Sequence, residues 1–445
     1  MRNDWRSVII DDIIEGLYDG PHATPKPASS GPVFFGVKNL TEDGRIDLSD
    51  IRHISEDDFS KWTKRVLPKN DDIVFTYEAS LHRYGLLKNN IRCCLGRRMA
   101  LLRLNKSEVV PDFLLYYFLS PEWRQTVEQN IIVGATVNRI PISDFPNFKL
   151  SVPKIQEQRS IANVLSTLDA KIDLNNRINA ELESLARTIY DYWFLQFDFP
   201  DENGKPYRSS GGKMRYDEAL GREVPEGWAV KRLDFLICNH KGGDWGKSEV
   251  TENYTVEVSC IRGTDLDGLG RRGNLNPPTR YILEKNSHKI LSDKQVVVET
   301  SGGSPTQSTG RIGYITENVL KRFSRPIICS NFCKNLSFTD PLFFWLFIKY
   351  WEKLYAQGVF FNFEGKTSGI KNLLFDSALS SLKIVVPPHD QLVKFDQFMT
   401  DIDSKIQNNL QQNHHLAALR DWLLPLLMSG QVRVGEASET DTEKV

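Results

Sequence analysis

Four short runs in this chain have the residue types of nucleotide chemistry. Asn276-Pro277-Pro278 has the form of the start of an amino-methyltransferase motif, in which the Asn amide and a carbonyl hold the base amine. That chemistry also needs an aromatic ring at the fourth position to stack a flipped base, and the residue there is Thr279. No glycine-rich fingerprint for S-adenosylmethionine accompanies it, so the proline pair reads as turn chemistry. Glu364-Gly365-Lys366 fits the letter of a metal-dependent nuclease, as do Asp169-Ala170-Lys171 and Asp403-Ser404-Lys405. The first lies in a Gly-rich loop without a convincing partner carboxylate; the other two have helical spacing, where salt bridging is the ordinary role. A Gly-x-x-x-x-Gly-Lys-Ser/Thr loop for gripping ATP is absent. The six cysteines, 93, 94, 238, 260, 329 and 333, show neither metal spacing nor a disulfide framework, and read as reduced thiols of a cytosolic protein. The chain is therefore expected to hold no catalytic residue and no metal of its own.

The elements that would position any site are dominated by a repeat. Residues 151–199 recur as residues 385–433 under one shift of 234 positions, which sets Leu168-Asp169-Ala170-Lys171-Ile172 on Ile402-Asp403-Ser404-Lys405-Ile406. Ile161, Leu165, Leu168, Ile172, Asn175, Asn179, Leu182, Ala186, Ile189 and Trp193 alternate steps of four and three, the seam of a coiled coil. The second seam is Phe395, Met399, Ile402, Ile406, Asn409, Asn413, Leu416, Arg420, Leu423 and Leu427. Each carries two Asn at its centre, and antiparallel pairing lets the four amides satisfy one another, fixing register. One helix over residues 155–197 would be a rod of about 60 Å. Pro425 should kink or end the second helix near Leu424, because it lacks the closing amide.

Length allows two or three domains. Charge is balanced, 56 Lys+Arg against 57 Asp+Glu, with no global polyanion-binding signal. Residues 228–385 are locally basic, 21 basic side chains against 15 acidic, whereas residues 1–150 hold 20 of each. No apolar leader follows Met1, and the longest apolar stretch, residues 342–348, is far below a membrane span, so an intracellular, cytoplasmic protein with no membrane partner is expected. The organisation predicted is a globular domain over 1–150, a repeated helix over 151–199, a polar linker over 200–227, a second globular domain over 228–385, the second repeated helix over 386–434 and a disordered acidic tail over 435–445. Trp5 and Trp228 open the globular parts, and the second is longer by about eleven residues. Each shows short strand-like runs (33–37 and 72–75; 255–261 and 295–298), then an aromatic helical segment (111–119; 341–351), then a Gly/Thr loop (134–139; 365–369).

In this frame several stretches resemble the specificity subunits of type I restriction-modification enzymes. They are Asp19-Gly20-Pro21-His22-Ala23-Thr24-Pro25, Gly134-Ala135-Thr136-Val137-Asn138-Arg139-Ile140, Pro153-Lys154-Ile155-Gln156-Glu157-Gln158, Ile261-Arg262-Gly263-Thr264-Asp265, Ser301-Gly302-Gly303-Ser304 and the closing run from Leu419 to Gln431. The resemblance implies an α+β fold: two β-rich α/β target-recognition domains separated by two long antiparallel coiled-coil helices, with a pseudo-two-fold internal repeat. It implies a non-catalytic DNA-recognition subunit, each domain reading half of a bipartite, asymmetric target in double-stranded DNA. The expected partners are two methyltransferase subunits and restriction subunits, in a bacterial or archaeal cytoplasm. S-adenosylmethionine, ATP and Mg would reside on those partners, which would supply adenine methylation and DNA cleavage. The alternative from another class is a coiled-coil scaffold without sequence-specific readout.

Base readout needs side chains on base edges, with phosphate contacts to hold register. Lys38 and Arg262 fall at nearly equivalent points after the opening tryptophans, so matching roles are expected of them. The other DNA-binding candidates are Lys26, Arg83, Lys88, Lys241, Arg271, Arg272, Arg280 and Arg311; the bland reading of any of them is solvated surface charge. His22, between Pro21 and Thr24-Pro25, suits a rigid loop near the groove or a simple turn.

Overall fold

The computed structural model describes residues 5–133, 137–270, 275–367 and 370–435; the tail beyond 435 lies outside them. Two compact units are present, Met1–Lys171 with His415–Val445, and Ile172–His414. The first long helix, Ile155–Tyr190, and the second, His389–Met428, each run from one unit into the other as continuous elements.

In the first unit, Arg6–Ile9 pairs antiparallel with Lys149–Val152, tying the start of the globular domain to its end. Between them an antiparallel sheet has the spatial order Ile14–Asp19, Met99–Leu104, Ile73–Thr76, Tyr84–Leu86. Ile73, Val74, Phe75 and Thr76 are all buried, so this strand is covered on both faces, which is why it reads as an unbroken apolar run. A second sheet sets Ala28–Phe35 between Arg52–His53 and Cys93–Leu95, with the last pairing parallel. Helix Pro111–Leu119 starts on proline, whose missing amide costs nothing at a first helical position. It packs Phe113 and Phe118 with Tyr84, Trp123 and Phe145 into the core that Ile161, Leu165, Leu427 and Met428 of the long helices complete.

The second unit repeats this plan. Ala229–Arg232 pairs with Lys383–Val386. The four-stranded sheet runs Ile237–Gly242, Cys333–Phe338, Gln295–Glu299, Ile312–Ile315, and the three-stranded one sets Tyr254–Ile261 between Thr279–Leu283 and Ile327–Cys329. Helix Phe343–Ala356 buries Phe344, Trp345, Phe347 and Trp351. The core continues onto the long helices through Ala186, Tyr190, Phe194, Phe395, Met399, Ile402 and Ile406.

Two expectations gain detail. Of the two outcomes expected at Pro425, kinking or ending, the helix does not end at Leu424: it reaches Met428, because buried Leu427 and Met428 anchor the last turn while Pro425 forfeits one amide. Residues 200–227, expected as a polar linker, carry regular structure of their own. After a π turn over Asp191–Gln196 the chain reverses at Phe197, in a left-handed conformation, and a hairpin pairs Met214–Asp217 with Arg222–Pro225. Phe199 stacks between Tyr207 and Trp228, with ring centroids at 4.6 and 4.9 Å. Aromatic burial folds a segment whose composition is polar. All six cysteines are free thiols, and burial pushes Cys93, Cys94, Cys260 and Cys333 up to about 12, far from reactive thiolates. Among the described residues no helix is long and apolar enough to cross a membrane.

Candidate nucleic-acid interface

The long helices meet through their amides. In the second unit Asn175 Nδ2 donates to Asn413 Oδ1 at 2.9 Å and to Gln412 Oε1 at 2.7 Å. Asn409 Nδ2 donates to Asn179 Oδ1 at 2.8 Å, and Asn413 Nδ2 to Asn176 Oδ1 at 3.0 Å. Partner numbers rise on one helix as they fall on the other, so the pairing is antiparallel. Asn175, Asn179, Ile172, Phe395, Met399, Ile402 and Ile406 are buried there, while Leu182, Ile189, Asn409 and Asn413 are half-buried. In the first unit Ile161 and Leu165 are buried and Leu168, Leu416 and Leu423 half-buried. Asn176 and Gln412 lie beside the heptad seam, and sequence reasoning missed them; the doubled Asn175-Asn176 was the available signal.

The repeated aspartates fasten each globular domain to the helices. Asp169 accepts from Tyr116 Oη at 2.6 Å and Arg420 Nη1 at 2.8 Å, within the first unit. Its counterpart Asp403, within the second, accepts from Tyr314 Oη at 3.1 Å, Thr316 Oγ1 at 2.9 Å and Gln407 Nε2 at 3.1 Å. Burial raises the Asp403 carboxyl above its ordinary range, only partly offset by those hydrogen bonds. The nuclease-like letters on both helices thus belong to anchoring contacts.

At one end of the first unit's four-stranded sheet several loops converge. Gly20 N donates to Met99 O at 2.8 Å, Tyr77 N to Arg98 O at 3.2 Å and Ile140 N to Tyr77 O at 2.8 Å. A Cβ on Gly20 would meet the carbonyl oxygen of Gly96 at 2.5 Å, so only glycine fits this neck. Beyond it, His22 Nε2 lies 2.9 Å from Asp19 Oδ2, Arg65 donates to Gly20 O at 3.3 Å, and Arg98 Nε lies 3.1 Å from Glu78 Oε1. Ala79, His82 and Arg98 are left-handed there, at φ 69°, 63° and 69°. Tyr77 Oη is buried facing the Asp19 carboxylate, and His82 Nδ1 is buried without a hydrogen-bond partner among the described residues. Burial and the Asp19 carboxylate raise the Tyr77 phenol, and burial with Arg124 lowers His82. Lys26, Arg97 and Arg139 are exposed and have no partner among the described residues.

The matching end of the second unit has the same backbone plan. Gly243 N donates to Cys333 O at 3.1 Å, and Leu373 N to Thr300 O at 2.8 Å. The hairpin Glu364–Thr367 with Ile370–Leu373 pairs onto Ser301–Gly302. Its charges, however, are satisfied internally. Arg311 forks onto Glu299 at 2.9 and 2.7 Å, and Lys371 lies 2.8 Å from Glu364. Burial alone would raise Glu364, but hydrogen bonds from Lys371 and Thr309 outweigh it and leave the carboxyl lowered.

The candidate cations occupy varied settings. Lys38 pairs with Asp50, Lys88 with Asp112 at 2.5 Å, Arg83 with Glu42 at 3.5 Å, and Arg262 forks onto Asp265 at 2.8 and 3.0 Å. Lys241 donates to His288 O at 3.2 Å, and Arg280 lies over the Trp245 ring at 4.0 Å. Arg271 and Arg272 lie outside the described residues. Lys38 and Arg262 are not structural counterparts. Gly36 N donates to Asn39 Oδ1 at 2.9 Å as Arg262 N does to Asp265 Oδ2 at 2.9 Å, so Arg262 matches Gly36 and the sequence alignment was off by two.

Known proteins share this chain's order of parts. Residues 4–184 match the family model described as type I restriction modification DNA specificity domain. The type I restriction enzyme MjaIX specificity subunit of Methanocaldococcus jannaschii is 24% identical over 395 residues, spanning 86% of this chain and 83% of its own. The HindI specificity subunit of Haemophilus influenzae is 21% identical over 417 residues, spanning 83% and 88%. The crystal structure of a type I restriction-modification S subunit from M. genitalium shares the fold, with a TM-score of 0.56 and 18% identity over 96% of this chain and 97% of that one. Residues 4–184 thus match a type I restriction modification DNA specificity domain, and over most of its length the chain is similar to type I specificity subunits and shares their fold.

Proposed function

We propose that the two recognition domains each read one half of a bipartite, asymmetric target in double-stranded DNA, while the paired helices set the spacer and seat two methyltransferase subunits. The observation that carries this reading is one sheet plan built twice with different end chemistry: exposed cations without carboxylate partners among the described residues in the first unit, closed ion pairs in the second. Similar readers with unlike side chains suit a target whose halves differ, and antiparallel helices suit the dyad of the duplex.

The chain is non-catalytic in this reading. Its methylase-like and nuclease-like letters lack their partner groups, so adenine methylation and cleavage come from methyltransferase and restriction subunits, which carry S-adenosylmethionine, ATP and Mg. Exposed Leu174, Ile178, Leu185, Leu419 and Trp422 on the helices supply apolar area for docking. A net charge of −1 gives the isolated chain little field to hold a polyanion, so tight binding belongs to the assembly. Its working place is the cytoplasm, where the DNA is.

Methylome sequencing of a host carrying this chain with its methyltransferase tests the proposal. A split motif with modified adenines in both halves is expected; a continuous motif, or modification without sequence preference, would overturn it.

A further inference from the structure

Three properties coincide at the open end of the first unit's four-stranded sheet. The backbone is strained, since Ala79, His82 and Arg98 all hold left-handed conformations that side chains disfavour. Polar groups are buried here, among them the hydroxyl of Tyr77, a residue only 6% exposed, which faces the Asp19 carboxylate, and Nδ1 of His82, which has no hydrogen-bond partner among the described residues. Proteins normally pair such groups, and strain of this kind persists mainly at ligand sites. Finally, Lys26, Arg97 and Arg139 stand exposed without carboxylate partners among the described residues, whereas Lys88 and Lys106, at the other end of the sheet, are paired with Asp112 and Asp71.

We propose that this loop cluster is the half-site reader of the first unit, with Arg97, Arg139 and Lys26 gripping backbone phosphates around a floor of His22, Asp19 and Tyr77. The assignment rests on the DNA reading above and narrows it to one end of one sheet. Arg97 follows Gly96, whose Cβ would meet Phe35 O at 2.3 Å, so the turn that presents it is fixed by close backbone approach. Arg139 sits in backbone bridges to Glu78 and Ile132, which hold it over the same floor. Asp19 is a positioning residue: its Oδ2 holds His22 at 2.9 Å and faces Arg65 at 3.7 Å. The second unit's cluster has Thr300 where this one has Tyr77, by their shared backbone bonds to Leu373 and Ile140, so its floor differs chemically.

The test uses the full chain assembled with its methyltransferase subunits and a duplex carrying the split motif found in its host's methylome. Binding is measured against salt for the parent, for R97A/R139A, for R97K/R139K and for K88A. Each phosphate contact contributes about 0.9 to the slope of log K against log salt, so R97A/R139A should flatten the slope by about 2 and weaken binding more than tenfold. R97K/R139K and K88A should keep the parent slope, and D19N should relax base preference in one half of the motif alone. An unchanged slope in a folded R97A/R139A complex, or equal loosening of both halves by D19N, overturns the assignment. A parent complex without sequence preference overturns instead the DNA reading on which it rests.

Discussion

Arg420 donates to Asp169 at 2.8 Å from a seam position where its helix would otherwise carry an apolar residue. Tyr116 donates to the same carboxylate, so one acid joins both long helices to the helix Pro111–Leu119 of the recognition domain. Removing one partner of a pair this enclosed leaves the other charge poorly solvated. Arg420→Leu should destabilise the first unit by about 2–3 kcal/mol, seen as a lower denaturant midpoint. Arg420→Lys should recover only part of it, because lysine lacks the planar fork that also reaches Asp421. An Arg420→Leu midpoint equal to the parent's would dismiss the anchoring role.

The amide cluster makes a different prediction. Replacing Asn175, Asn179, Asn409 and Asn413 with leucine removes the contacts that distinguish one register from its neighbours while leaving an apolar seam. Helicity by circular dichroism should be unchanged and thermal stability equal or higher. The methylome should then show more than one spacer length where the parent shows one. A single retained spacer would mean that the apolar seam alone sets register.

Asp403 should leave a pH signature. Its folded carboxyl is raised above the ordinary aspartate range, first by burial, so the folded state favours the protonated acid. Its contribution to stability is complete below the unfolded value and is lost as pH rises through the raised folded one. Besides its three hydrogen-bond donors, Lys349 faces it, and Arg322 lies near with a guanidinium lowered by burial. In melts of the assembled protein from pH 4 to 8, the melting point of the parent relative to Asp403→Asn should fall as pH rises. A pH-independent difference would assign the carboxylate no such role.

Gly243 is the neck glycine of the second unit, matching Gly20 of the first. A Cβ there would lie 2.0 Å from Cys329 O and 2.2 Å from Ser330 O, both backbone atoms that cannot swing aside. Gly243→Ala should cost at least about 2 kcal/mol and loosen one half of the recognised motif, whereas Gly242→Ala, with open space around it, should be near neutral. Equal midpoints for the two variants would contradict the crowding.

Periodicity carried most of what could be read beforehand. The helices were visible because burial of one face forces steps of three and four, and the strand at Ile73–Thr76 because burial of both faces forces a continuous apolar run. Pairing across the fold was invisible. Arg311 looked like a free cation until a sheet pairing that runs through its loop brought Glu299 opposite it. Lys38 and Arg262 were aligned by counting from the tryptophans, yet the turn hydrogen bonds give the true correspondence. Arg97 and Arg139 were passed over as candidates because nothing local marks a loop as lying at the open end of a sheet; Gly96-Arg97-Arg98, an arginine pair straight after a crowded glycine, was the nearest signal. The aromatic stack of Phe199, Tyr207 and Trp228 was hidden because its members are scattered through serines, glycines and charges.

Asn175 faces Asn413 and Asn179 faces Asn409, so each step forward along one repeat is a step backward along the other. A residue gained near the middle of one copy alone would slide every amide on its far side opposite an aliphatic side chain. Only a mirrored gain in the other copy restores the match. The two repeats are therefore matched in length, residue for residue across 234 positions of separation, and a change in one copy alone would break the amide register.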